Sequence, residues 1–201
     1  MTLLDILYPP TCTSCRALLE KNAPFCSDCL ETFTLLPKEG HCVKCFAEIP
    51  QLSGACKGCR KLASPFCKLG ACFDSFGPGK SLLNSVHAKD IASLIILQLE
   101  NLHFPNFDAL TTVPSYFSTP FALVAKELSA LLNVPYIPTL NRTFSPKISF
   151  SLKKKCNIIN KVVLLLHTEM IERDEIRSAG WALKTGLPEQ LFGLGFCATL
   201  H

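Results

Sequence analysis

Residues 161–180 read KVVLLLHTEMIERDEIRSAG. Val162 to Leu166 are apolar without a break, the pattern of a strand buried on both faces. A helix pattern follows almost at once, from about Glu172 to Lys184, with Ile176, Ala179 and Leu183 on one face. A strand, a short turn and a helix N-terminus together hold phosphate in many α/β proteins, because free backbone N–H groups and the positive helix end converge there. Such a turn favours glycine and small hydroxyl side chains. Here it reads HTEMIERDE, so the stretch predicts the fold class and leaves its chemistry in question.

Outward from it, the same alternation recurs. Leu69 to Phe76 has strand character and FGPGK marks a turn. Ser81 is a candidate N-cap for a buried helix carrying Leu82, Leu83, Val86, Leu94, Ile95 and Leu102, in one or two pieces. His87 and His103 read as ordinary helix or cap residues. Ala109 to Pro114 is a short strand. Phe121, Val124, Leu128, Leu131 and Leu132 have amphipathic helix spacing, and Val134 to Ile137 is a candidate strand. Residues 139–160 read as irregular and polar. A turn at Gly186–Pro188 precedes a last strand, Leu191 to Leu200. Strands alternating with helices predict an α/β domain with a parallel sheet.

The first third is organised differently. Cys12-x-x-Cys15 is followed, after ten intervening residues, by Cys26-x-x-Cys29, and adding 30 to each position gives Cys42, Cys45, Cys56 and Cys59. This is an internal repeat. Two thiolates two residues apart can turn onto one tetrahedral ion, and a second such knuckle closes the shell, so the spacing predicts a double zinc ribbon with two zinc ions. Sequential and interleaved pairings both satisfy the spacing, and four thiolates also accept iron. A closed four-sulfur shell is structural, not catalytic. His41 reads as a solvent-facing neighbour of Cys42. Cys67, Cys72, Cys156 and Cys197 lack partner spacing and read as small apolar residues of strands or core. The expected boundaries are 1–62 for the ribbon, 63–75 for a junction and first strand, and 76–201 for the α/β domain.

The formal charge of +4 counts cysteines as neutral. Two four-thiolate zinc centres would each carry about −2, which leaves little net charge and little argument for a nucleic-acid partner. The uncharged run Ile91 to Leu99 falls far short of the ~20 residues that span a membrane. The opening MTLLDILYPP lacks a basic region and contains Asp5, a poor signal peptide. A cytoplasmic protein is the expectation, and twelve cysteines in a reducing compartment favour metal over disulfides.

The opening LLDILYPPTCTSC, followed by three more CxxC knuckles and an α/β remainder, resembles the competence protein F (ComF) family. That resemblance implies a zinc ribbon joined to a type I phosphoribosyltransferase domain. The family's phosphoribosyl pyrophosphate loop, similar to VLLVDDVVTTGAT, aligns with Val163 to Glu175. Its two acidic residues fall on His167 and Thr168, its Thr-Thr-Gly on Ile171, Glu172 and Arg173, and its next hydroxyl on Glu175. A segment resembling VPLHPxRxxxRGFNQ keeps Val113-Pro114 and then departs. A third, resembling LSRxxRxxN, keeps Leu152 and Asn160, with Lys154 and Asn157 on the arginines.

The resemblance therefore implies the fold with a degenerate loop. Ile171 removes a hydroxyl, and Arg173 adds a Cβ where glycine lets backbone approach. Glu169, Glu172, Asp174 and Glu175 suit a helix N-terminus but repel phosphate, each like-charge contact costing ~1 kcal/mol even at high dielectric. Arg173 reads as a surface partner of Glu169 or Glu172, with a phosphate clamp as the alternative. His167 lacks a carboxylate partner at useful spacing. Mg²⁺ and phosphoribosyl pyrophosphate enter only if an altered loop still works as a transferase.

The favoured expectation is a non-catalytic accessory in DNA uptake, meeting single-stranded DNA or a DNA-processing protein. An altered transferase and a zinc-ribbon adaptor are the alternatives. Candidate nucleic-acid contacts are Lys57, Arg60 and Lys61 on the second ribbon and Lys153, Lys154 and Lys155, each of which also reads as solvated surface.

Overall fold

The structure is a computed structural model that describes residues 9–19, 23–85, 87–114, 121–143, 149–154, 156–170 and 173–199, with Asn84, Ser85 and Arg173 described in backbone only. The elements in chain order are α1 (Ser27–Glu31), α2 (Lys57–Lys61), β1 (Lys68–Asp74), α3 (Leu82–Ser85), α4 (Ala88–Asn101), β2 (Ala109–Thr112), α5 (Phe121–Leu132), β3 (Leu140–Thr143), β4 (Ser149–Leu152), β5 (Val162–Met170), α6 (Arg173–Lys184) and β6 (Gln190–Ala198).

The sequence repeat is also a backbone repeat. The Cys12 amide donates to Ala17 O and the Cys42 amide to Ala47 O, both at 2.8 Å. Arg16 N reaches Cys12 O at 2.9 Å and Phe46 N reaches Cys42 O at 2.8 Å. Arg16 (φ 62°) and Phe46 (φ 56°) both sit in the left-handed region, where the knuckle turns back on itself. Bridges Thr11↔Leu18 and His41↔Glu48 close each knuckle. The second CxxC of each unit opens a short helix, α1 and α2, N-capped by Cys26 and Cys56.

The four-stranded sheet has the order β1-β6-β5-β2, and every pairing is parallel. β5 lies between β6 and β2, which explains its unbroken apolar run: Val163 to Leu166 are buried on both faces. The glycines show what covers each face. A Cβ on Gly70 would meet Leu102 and Phe104, just beyond α4, and a Cβ on Gly193 would meet Leu69 and Phe66. Phe66 also fills the space against Gly180 of α6. Helices therefore cover both faces, with α4 on one side and α6 on the other, a doubly covered α/β sheet. Ile176, Ala179 and Leu183 form the buried stripe of α6, as their spacing predicts.

Ribbon and sheet meet through hydrogen bonds and rings. Leu36 N donates to Cys72 O (2.9 Å), and the buried Gln98 amide of α4 donates to Leu36 O (2.8 Å) and Ala71 O (2.6 Å). Phe33 packs between Phe25 of the first ribbon (6.0 Å) and Phe73 of β1 (4.8 Å).

Several expectations need correction. Residues 139–160 are not all irregular: β3 and β4 pair antiparallel, Leu140 opposite Leu152, and the hairpin packs on α6. Its strands are short and half polar, so their periodicity is faint. Val134 to Ile137 supplies one parallel bridge, Leu110↔Tyr136, because Pro135 and Pro138 lack ladder donors. The strand after Lys161 runs on to Met170, since β6 continues to pair with it there. Ser81 ends a 3₁₀ turn (Pro78–Ser81), and the long helix α4 takes His87 as N-cap. Leu131 is exposed, and so is Cys67; Cys156 is half-buried. His41 is only 7% exposed and stacks on Phe46 at 4.5 Å. Val86 lies outside the described residues. No helix among the described residues is long and apolar enough to cross a membrane.

Candidate metal centres and the carboxyl end of the sheet

The knuckle backbone gathers the sulfurs of Cys12, Cys15, Cys26 and Cys29 into one cluster and those of Cys42, Cys45, Cys56 and Cys59 into another, all within 4.8 Å of one another in each. This is the sequential grouping. The fit to a metal can be tested on distances. Zinc–sulfur bonds of about 2.3 Å in a tetrahedron put sulfurs about 3.8 Å apart. Cys15 Sγ lies 3.6 Å from Cys26 Sγ, and Cys45 Sγ lies 3.7 Å from Cys56 Sγ. The donor set is all sulfur and the spacing is that of a tetrahedral edge, so each cluster can hold one zinc ion.

Residues 3–60 match the family model of the double zinc ribbon domain. No curated protein matches the chain.

Proton sharing within each ribbon cluster points the same way. Burial raises the Cys12 thiol, but amides of Cys15, Cys26 and Ser14 outweigh it and bring that thiol down to about 6. In the second cluster burial opposes the amides of Cys56, Lys44 and Cys45, which hold Cys42 at about 7. The Cys56 amide reaches the Cys42 sulfur at 3.2 Å. Burial pushes Cys29 up to about 12 and Cys59 up to about 11. Each cradle thus sets a thiol held low against one pushed high, Cys12 against Cys29 and Cys42 against Cys59, and a cation that draws both into the thiolate form releases protons, the usual linkage of metal binding to pH. A bound zinc ion would supply a cross-link that folds the knuckles; Cys12, Cys15, Cys26 and Cys29 would hold one, and Cys42, Cys45, Cys56 and Cys59 the other.

The second candidate site is where ligands bind in open parallel sheets, beyond the carboxyl ends of the strands. His167 and Thr168 lie within β5, not in a loop, while Ile171 and Glu172 lie outside the described residues, as does the Arg173 side chain. The anticipated pairing of Arg173 with Glu169 or Glu172 involves side chains outside the described residues; Glu169 itself meets Lys80, in the turn after β1, at 2.6 Å. Glu175, in the first turn of α6, meets Arg142 of β3 at 2.6 Å and His167 Nε2 at 3.4 Å. So His167 does have a carboxylate partner, eight residues on, which sequence spacing alone did not reveal.

The tautomer of His167 follows from its contacts. The Glu169 amide donates to His167 Nδ1 at 3.1 Å, so that nitrogen is the acceptor and Nε2 carries the proton toward Glu175. Both ring nitrogens are engaged, which leaves no lone pair for a general base. The hydrogen bond from His167 leads the causes that hold Glu175 below the ordinary carboxylate range, with the charge of Arg142 adding to it against burial. Arg142 Nη1 also reaches Pro114 O at 3.4 Å, so one guanidinium ties β3 to the end of β2 and to α6.

These groups do not fit Mg²⁺ and a phosphoribosyl donor. The positions of the family's acidic pair hold His167 and Thr168, and Glu169 and Glu175 are each committed to a cation. Asp174 is exposed. Lys80 and Arg142 are the residues that sequence reasoning missed. Lys80 could have been flagged by its place just past a strand's carboxyl end; Arg142 had no local signal. Of the basic candidates, Lys57, Arg60 and Lys61 are exposed on α2, Lys153 is half-buried and Lys154 exposed after β4, and Lys155 lies outside the described residues.

Proposed function

We propose that this chain is a ComF-like, non-catalytic accessory protein of DNA uptake: two structural zinc ions fold residues 1–62, residues 63–75 join them to the sheet, and residues 76–201 are a degenerate phosphoribosyltransferase-like platform. The observation that carries this reading is the Arg142–Glu175–His167 and Lys80–Glu169 contacts at the carboxyl end of the sheet. They fill with internal ion pairs the place where a sugar phosphate donor would need free cations and a free carboxylate pair. The role in DNA uptake, the expected cytoplasmic setting and a DNA-processing partner rest on the resemblance of the opening LLDILYPPTCTSC to the ComF family.

A thermal-shift titration tests the reading. Phosphoribosyl pyrophosphate with Mg²⁺ should leave the melting temperature unchanged. A Mg-dependent rise would support the transferase alternative instead. The adaptor alternative has its own support in the cations around the second ribbon: Lys44, Lys57, Lys61 and Arg177 make no ion pair among the described residues.

A further inference from the structure

We infer that the groove beside the second four-cysteine cluster is a docking site for an acidic, leucine-bearing peptide segment of a protein partner. The inference deepens the accessory reading, on which it rests, by giving the partner a chemistry.

A cavity of about 160 Å³ opens between α2 and the sheet domain. Cys45, Cys56 and Cys59 of the cluster line it together with the buried Leu69, and Lys44 from the ribbon and Arg177 from α6 contribute to the same lining. Leu62 is 60% exposed at the groove's mouth. Lys57, Arg60 and Lys61 stand exposed on α2, whose Gly58 and Cys59 line the same cavity. The Arg60 Nε donates to Ala55 O at 2.8 Å, which fixes the root of that guanidinium. No carboxylate among the described residues lines the groove.

An apolar floor with a cationic rim is complementary to a short segment that offers leucine to the floor and carboxylates to the rim. Single-stranded nucleic acid would need aromatic faces on which bases stack, and no aromatic residue among the described ones lines the groove. The first ribbon supplies an internal contrast. At the positions 30 residues earlier, Leu62 becomes Thr32, Lys57 becomes Ser27, Lys61 becomes Glu31 and Lys44 becomes Ser14. The frame is the same, but the leucine and cations are gone, so they are not demanded by the knuckle fold.

Fluorescence anisotropy on the zinc-loaded full chain tests the proposal, with a labelled synthetic peptide of glutamate, aspartate and leucine, and a labelled oligothymidylate of equal charge. The peptide should bind. Leu62→Ser should weaken it about tenfold and Lys61→Glu about fivefold, since a lost buried contact or reversed charge near 1 kcal/mol or more has that effect. Leu18→Ser, at a leucine of the first ribbon still more exposed than Leu62, should change nothing, and zinc content confirms that each variant is folded. Absence of peptide binding, equal sensitivity to Leu18→Ser, or tighter binding of oligothymidylate through the same residues would each overturn it. The phosphoribosyl pyrophosphate titration is independent of all these outcomes, so this inference can fail while the reading beneath it stands.

Discussion

Residues 12–19 and 23–31 repeat the backbone of residues 42–49 and 53–61, with matching hydrogen bonds, matching left-handed residues and two four-sulfur clusters. Almost everything else has diverged. The first unit carries Arg16 and Lys21 against Glu20, Asp28 and Glu31; the second carries Lys44, Lys57, Arg60 and Lys61 against Glu48. The first presents Arg16 at its left-handed position, whereas the second buries Phe46 there, 4% exposed, under the His41 ring. Four sulfurs and a knuckle fix this fold so strongly that the remaining side chains are free to serve other ends. In the second unit they build a small core and a basic face.

Removing the frame should have the largest effect. Structural zinc in such modules is worth about 10–16 kcal/mol at neutral pH. Chelation should abolish hydrogen-exchange protection across residues 9–61, while β5 and β6, held by the core of the sheet, keep theirs. Loss of protection in β5 would show that the two regions are one cooperative unit.

The left-handed residues sharpen the contrast between ribbons. Phe46→Gly relieves a strained φ but removes a buried ring, and should cost about 3–5 kcal/mol by chemical denaturation. Arg16→Gly relieves the same φ at an exposed position, and should stay within about 1 kcal/mol of wild type. Similar costs would mean that the backbone, not the ring, decides.

Gln98 tests how the ribbon is fastened to the sheet. Gln98→Ala takes the Gln98 donor away from Ala71 O and leaves Leu36 O only the longer bond from Asn101 Nδ2 (3.4 Å), and should cost about 1–3 kcal/mol. Protection of the Leu36 amide, which donates to Cys72 O, should fall with it.

Glu175 gives the smallest effect and a pH signature. Its folded pKa lies below the ordinary value of 4.5. Its contribution is therefore present above the unfolded value and is lost as pH falls through the folded one. Acid also releases zinc, so the readout is a difference: the gap in melting temperature between wild type and Glu175→Gln should be open at neutral pH and close below about 4.5. A gap that persists in acid would remove the Arg142–Glu175–His167 cluster as a structural tie.

The contrast also explains what could be read in the chain beforehand. The zinc frame was legible because ligand spacing is a local property, and β5 because a strand covered on both faces reads as unbroken apolar sequence. The β3–β4 hairpin was not, since residues such as Asn141 and Ser151 follow no buried periodicity. The partners of Glu175 and Glu169 were not legible either. Arg142 arrives from 33 residues away and Lys80 from 89, and only the fold makes them neighbours. His41 misled because a polar type beside a ligand reads as surface, yet its ring is covered by Phe46.

Zinc stoichiometry in three proteins tests the central claim most directly: the full chain, a Cys12→Ala/Cys15→Ala variant and a Cys42→Ala/Cys45→Ala variant. Two independent ribbons predict two ions in the first and one in each of the others, matching the two separate sulfur clusters. A variant of either ribbon that loses both ions would contradict the account, since it would mean that the knuckles share their metal.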